Sequence, residues 1–392
     1  MLVTAHKAGP AGIGVWSMAL AIQGYALHLG ELGLRSVVTA EAIRTRGGAR
    51  ALVPGYLALR LTVSAAVVAA ALALVALLLP DHLALMGVVL LSLVPIALQL
   101  DWVSLVDGRN GWAGLPLVAR PAAFLLAILA WPAPLTPLAI ALAFLGSWIF
   151  AALLAALPLG LPGRVGGDEP APPRRSMLRA GLGFAAVTLL AQLPLSADLL
   201  VVGWSLGVEA AGLYYLATAI AVAATVLANA AGQLALARAG ATRGRQESIR
   251  QAARGLAATG TAAGAAAALL LLLGGVLLPL ALGPTFAAAG TLLAWLAPWV
   301  VLVHMTTPLQ AMLGAAGRQR GALRANLAMA ILLAPLLGLA AWLAEPWAFA
   351  LARAVAEAAR LALLAHAAGL IVAAGPGHTG GRPAAVRISR AG

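Results

Sequence analysis

The chain has 392 residues, of which 62% are hydrophobic and only 9% charged, with a formal net charge of +13 and no cysteine. A composition this apolar and charge-poor excludes an ordinary water-soluble globular domain. The missing cysteines exclude disulfides, thiol nucleophiles and thiolate metal sites.

Long apolar stretches follow one another along the chain. They run Ala11–Gly30, Leu57–Leu79, Leu83–Leu100, Leu115–Trp131, Leu138–Leu159, Leu182–Val202, Ala211–Ala237, Leu256–Leu280, Ala287–Thr306, Ala325–Leu343 and Trp347–Ala373. Each has roughly 17–27 residues, enough for a helix to cross an apolar slab of about 30 Å. Arginines crowd every second gap: Arg35, Arg44, Arg46 and Arg50; Arg109; Arg164, Arg174, Arg175 and Arg179; Arg238, Arg243, Arg245, Arg250 and Arg254; Arg318, Arg320 and Arg324; and Arg382, Arg387 and Arg390. The intervening gaps, Pro80–His82, Pro132–Pro137, Gly203–Ala210, Ala281–Phe286 and Ala344–Pro346, hold no lysine or arginine. Positive loops stay on the cytoplasmic side, so the pattern predicts a multi-pass protein of the cell (inner or plasma) membrane with its C-terminus in the cytoplasm. Arginines placed in this way account for the positive charge as topology and anionic-lipid contact, and nucleic acid is not an expected partner. Lys7, ahead of the first stretch, is the one loop charge that fits this pattern poorly.

The chain also repeats itself. Gly9-Pro-Ala-Gly-Ile-Gly14-Val-Trp-Ser-Met-Ala-Leu-Ala-Ile22 aligns without gaps against Gly207-Val-Glu-Ala-Ala-Gly212-Leu-Tyr-Tyr-Leu-Ala-Thr-Ala-Ile220. Both segments are Gly-rich turns leading into a span, and both start on the outer side. The expectation is therefore an all-α polytopic membrane protein with about eleven transmembrane helices in two parallel pseudo-repeat halves. The first half comprises 1–160 and the second 178–374. A cytoplasmic Gly/Pro/Arg linker occupies 161–177, and a disordered cytoplasmic tail 375–392. The alignment leaves the span Leu182–Val202 without a first-half counterpart, so each half is expected to be built on six helices with the first half lacking one, either because the start lies upstream of Met1, the favoured reading, or because that helix is dispensed with.

Charges inside spans are rare because each costs about 2.5–3.5 kcal/mol at the bilayer centre, so those present are expected to face protein or a wet cavity. Only two acids, Asp198 and Glu357, fall within predicted spans, against Arg60, Arg120, Arg353 and Arg360. Four arginines against two acids would make a shared cavity cationic and suited to a phosphate or pyrophosphate. For Arg60 and Arg120 the plain alternative is snorkelling to a nearby helix end. Arg353, Glu357 and Arg360 share one face of the last helix and could be a self-satisfied ion network. Asp198 fits either packing or ion coupling. Gln23, Tyr25 and His28, with Asn229 and Gln233, read as interhelical hydrogen-bond glue. Pro194, Pro298, Pro308 and Pro335 predict kinks, and Trp131, Trp204 and Trp347 an outer aromatic belt. No catalytic constellation, metal-ligand cluster or cofactor motif is evident.

Three motifs carry a resemblance. Gly9-Pro-Ala-Gly-Ile-Gly-Val-Trp16 followed by Glu31-Leu-Gly-Leu34, Ala197-Asp198 through Gly207-Val208 and Gly212-Leu-Tyr214, and Thr307–Gly317 with Leu313-Gly-Ala-Ala-Gly317-Arg318 resemble signatures of the polysaccharide flippases of the multidrug/oligosaccharidyl-lipid/polysaccharide (MOP) exporter superfamily. The chain departs from that family in its absent first helix, in Glu31 for the usual aspartate, and in lacking the final helix pair of longer members. The resemblance implies a two-half bundle with a central cavity and alternating access. It implies export of a polyprenyl-diphosphate-linked oligosaccharide for cell-surface polysaccharide (including lipopolysaccharide) biosynthesis, without enzymatic activity. Arg60, Arg120, Arg353 and Arg360 would then line the substrate cavity, and Asp198 and Glu357 would couple or gate. The lipid-linked glycan and membrane lipids are the expected partners, together with glycan polymerase or ligase proteins. Two alternatives remain open. A cation-coupled drug exporter of the same superfamily would want acids in the cavity. An integral-membrane glycosyltransferase or ligase would want a large outer loop, and every outer gap here is shorter than about ten residues.

Overall fold

A computed structural model of the chain describes residues 1–44, 48–132, 134–159, 174–241, 245–315 and 319–373, with the side chains of 183–195 and 227–257 among those left aside. The tail and nearly all of the expected linker lie outside the described residues, as do the side chains of Asn229, Gln233 and Pro194. The described residues are almost entirely helical. In order the helices are α1 Leu2–Glu31, α2 Leu34–Arg44, α3 Gly48–Leu78, α4 Leu83–Leu91, α5 Leu93–Ala97, α6 Asp101–Val106, α7 Asn110–Ala130, α8 Pro137–Ala156, α9 Arg174–Leu206, α10 Val208–Ala241, α11 Arg245–Leu272, α12 Leu278–Leu282, α13 Ala287–Ala315, α14 Gln319–Leu343 and α15 Pro346–Ala373. Every apolar stretch read from the sequence falls on one of these helices, or on the joined pairs α4–α5 and α11–α12. Among the described residues, eight segments are long and apolar enough to cross a membrane. The chain is a multi-pass helical membrane protein. Helix α15 is not one of the eight; it carries Arg353, Glu357 and Arg360.

Breaks in the helices have local causes. Pro95 has no N–H and ends the regular path of α4, and nearby the Ser92 hydroxyl donates to the Val89 carbonyl at 2.6 Å. A π turn, Leu273–Leu277, joins α11 to α12. The first arginine-bearing gap is not a plain loop. It holds α2, whose Leu34, Val38 and Ala42 are buried at helical spacing against Tyr56 of α3, Trp102 and Val103 of α6, and Met177 of α9.

Segments aligned by the repeat behave alike. Gly9 and Gly207 both take positive φ, 69° and 90°, and each interrupts the helical path ahead of the next long helix. Trp16 of α1 meets Phe144 of α8 edge-on at 5.2 Å, and Tyr214 of α10 meets Phe349 of α15 edge-on at 6.4 Å. Helices α1 and α10 cross where the repeat places Gly14 and Gly212. A Cβ on Gly14 would lie 1.6 Å from the Val208 carbonyl oxygen, and one on Gly212 would lie 1.9 Å from that of Pro10. In the repeat alignment Gly14 corresponds to Gly212 and Pro10 to Val208, so the contact is reciprocal. Each glycine presents a Cα hydrogen where a side chain would be. Such Cα–H···O contacts contribute perhaps 0.5–1 kcal/mol each.

Lys7 has a structural task. Its Nζ donates to the carbonyls of Ile128, Leu129 and Trp131 at 2.9, 3.1 and 2.8 Å, closing the C-terminus of α7. The charge sits where the helix dipole is negative, which compensates it on an otherwise arginine-free side.

Candidate functional site

Helices α9, α10, α13 and α15 bring together a buried polar stripe in the second half. Arg353 of α15 pairs with Asp198 of α9 (Nη1 to Oδ2, 3.2 Å), the side chains being 4% and 1% exposed. Tyr214 of α10 donates its hydroxyl to the same carboxylate oxygen at 2.7 Å. The Arg353 guanidinium also lies over the Trp299 ring of α13, 4.2 Å from its centroid. One turn further along α15, Glu357 accepts from Arg360 at 2.9 Å and from the Thr306 hydroxyl of α13 at 2.5 Å. Arg360 donates in turn to the side-chain oxygen of Gln310. Tyr25 of α1 lies within electrostatic reach of Asp198 and Arg353, so the stripe borders the other half.

In sequence, Glu357 is the acid nearest to Arg353 and Arg360. Asp198, far away in sequence, is the acid bound to Arg353, because α9 and α15 pack beside each other. Glu357 is engaged by Arg360 and Thr306. The sequence reading missed Trp299, Thr306 and Gln310, and took Tyr214 only as part of a motif. The first three carried a signal: they recur at intervals of seven and four residues along α13, one helical face, as the charges on α15 share a face at intervals of four and three.

The first half differs. Arg60 of α3 is 3% exposed, so it is enclosed by protein and does not snorkel, and its Nε and Nη1 have no hydrogen-bond partner among the described residues. Tyr56, Glu31, Arg35 and His28 are its electrostatic neighbours. No carboxylate comes within ion-pairing distance of it among the described residues, and Asp101 is taken by Arg35 at 2.6 Å. The Nδ1 of His28 is also buried without a partner there. Arg120 of α7 is half-buried and stacks over Trp148 of α8, 4.1 Å from the ring centroid. The four arginines thus form two groups: Arg353 and Arg360 lie in one acid-balanced stripe, while Arg60 and Arg120 stand apart on α3 and α7. A cavity of about 390 Å³ between α9 and α14, lined by Trp204, Ser205, Gly338, Ala341 and Trp342, contains none of them.

No protein-family model and no curated protein matches the chain. Solved structures are. The inward-facing form of a multidrug resistance MATE family transporter of the MOP superfamily aligns over 96% of this chain and 95% of its own, at 16% identity and a TM-score of 0.76. The outward-facing form of such a transporter aligns over 95% and 96%, at 15% identity and 0.62. The lipid II flippase MurJ, in an inward closed conformation, aligns over 92% and 86%, at 11% identity and 0.67. The fold is that of the MOP-superfamily transporters. This agrees with the fold expected from the three sequence motifs.

Proposed function

We propose that the chain is a flippase that carries a polyprenyl-diphosphate-linked oligosaccharide across the cell membrane by alternating access, for cell-surface polysaccharide synthesis. One observation carries the reading. Both acids inside the spans read from the sequence, Asp198 and Glu357, are bound to arginines, and the interior charge without an acid partner among the described residues is cationic, foremost Arg60. A buried guanidinium with two unsatisfied nitrogens is costly, and a diphosphate relieves that cost by accepting its hydrogen bonds. Arg120 is assigned to the same anionic substrate. Arg353 and Arg360, with Asp198 and Glu357, are assigned to the framework whose ion pairs rearrange during the cycle. The arginine pattern argues for a cytoplasmic C-terminus, so the substrate is collected on that side and released outside to a polymerase or ligase.

The reading is of a transporter and not an enzyme, in line with the solved structures that share the fold. The drug exporter is the rival, since MATE transporters share this fold; it would need an uncompensated acid for a cationic substrate, and neither Asp198 nor Glu357 is uncompensated. The test is Arg60→Ala and Arg60→Lys in cells that make a lipid-linked glycan. Arg60→Ala should lower export by about tenfold or more, the loss of one charge-assisted hydrogen bond of about 1.5–3 kcal/mol, with membrane insertion unchanged. Arg60→Lys should restore part of the activity. Export that survives Arg60→Ala at normal protein levels would refute the anionic-substrate reading, and efflux of cationic dyes by the same cells would favour the drug exporter.

A further inference from the structure

We propose that His28 of α1 is the second donor of the Arg60 site, and that the two together select a diphosphate over a monophosphate. The inference rests on the anionic-substrate reading and adds to it a residue and a specificity. Arg60 is 3% exposed and leaves Nε and Nη1 without an acceptor among the described residues, and the Nδ1 of His28 is buried in the same state. The two side chains are electrostatic neighbours, and Glu31, about one turn beyond His28 on α1, lies near both. No ion pair joins Glu31 to either group among the described residues, and Arg35, which also borders Arg60, is taken by Asp101. What the site lacks is therefore hydrogen-bond acceptors, and a distant counter-charge does not supply them. A buried donor left unmet carries its desolvation cost, and phosphate oxygens accept charge-assisted bonds from a guanidinium.

The donors stand on two helices, fixed where α1 and α3 approach closely. A Cβ on Gly30 would lie 3.2 Å from the Ser64 hydroxyl oxygen, about half a turn from His28 and one turn from Arg60. A monophosphate seated on Arg60 has a single cluster of oxygens. A diphosphate carries a second cluster, which can reach across to the other helix and accept from Nδ1–H. His28 can donate there either as the neutral Nδ1–H tautomer or as imidazolium, so selection does not require the charged form. The face of α1 that bears His28 is also open. Gly24, one turn earlier on that face, has nothing within 4 Å of where its Cβ would stand.

The purified full chain in detergent, titrated calorimetrically with geranyl diphosphate and with geranyl monophosphate, tests this. The unaltered protein should bind the diphosphate more tightly. His28→Leu should lower the ratio of the two affinities by about tenfold, through the diphosphate alone, as one charge-assisted hydrogen bond is lost. His28→Asn carries an amide N–H near the place of Nδ1 and should restore most of the ratio. His28→Gln carries it near the place of Nε2 and should not, and this pair keeps the test decisive if the leucine variant misfolds. Arg60→Ala should weaken both ligands. A ratio unchanged in His28→Leu, or kept equally by His28→Asn and His28→Gln, overturns the role of His28, and the anionic-substrate reading stands if Arg60→Ala still weakens binding. Affinities for both ligands that survive Arg60→Ala, or an unaltered protein that binds neither, count against the anionic-substrate reading itself and overturn this inference with it.

Discussion

Removing either member of the Asp198–Arg353 pair should destabilise the second half far more than removing both. At 3.2 Å two unit charges attract by about 5 kcal/mol at an effective dielectric constant of 20. Desolvation of both ions offsets much of that attraction, so the pair contributes little net stability over an apolar substitute. A single truncation is different, because it leaves a buried charge without its partner, at about 3–5 kcal/mol. Arg353→Met leaves the Asp198 carboxylate with Tyr214; Asp198→Asn leaves the guanidinium over Trp299, a contact contributing about 2 kcal/mol when desolvated. The double variant should cost no more than the milder single one, so the coupling energy should be at least as large as the costlier single loss, about 3–5 kcal/mol. Unfolding in bicelles by a steric-trap assay measures all four corners of the cycle. Effects that add to within about 0.5 kcal/mol would show that the two charges do not interact as the geometry requires. Transport by the double variant then separates roles. Retained export makes the pair structural, and lost export by a folded protein makes it part of the cycle.

Lys7→Met should lower stability by about 1–2 kcal/mol through the three α7 carbonyls it uncaps, with Lys7→Arg recovering most of it in the same unfolding assay. Tyr214→Phe removes the hydroxyl donor to Asp198 and should cost about 1.5–3 kcal/mol; no effect in the Arg353→Met background would mean that the hydroxyl contributes only through the pair. Reporter fusions after Gly48, Gly167, Gly244 and Gly321 should read as cytoplasmic, and fusions after Asp81, Pro134, Gly207 and Pro284 as external, two neighbouring sites on one side being enough to break the assigned orientation.

The placement of the helices was legible from the residues alone. Span length and the choice of gaps for arginine are properties of a linear string read against a slab of fixed thickness, and no partner need be known. The Gly9 and Gly207 breaks were legible for a related reason: the repeat aligned them, and their positive φ is a local demand. Helix α2 escaped notice because its arginines marked the gap as a loop, although Leu34, Val38 and Ala42 already carried a helical period. Within the site, the Glu357–Arg360 contact was legible as neighbours on one face of α15. Only the tertiary structure decided the remaining partners. Asp198 finds Arg353, Lys7 finds the end of α7, and Arg60 finds no carboxylate among the described residues. A charge inside an apolar bundle is matched or left bare by whichever helix packs beside it, and that choice depends on helix crossings that sequence spacing does not encode.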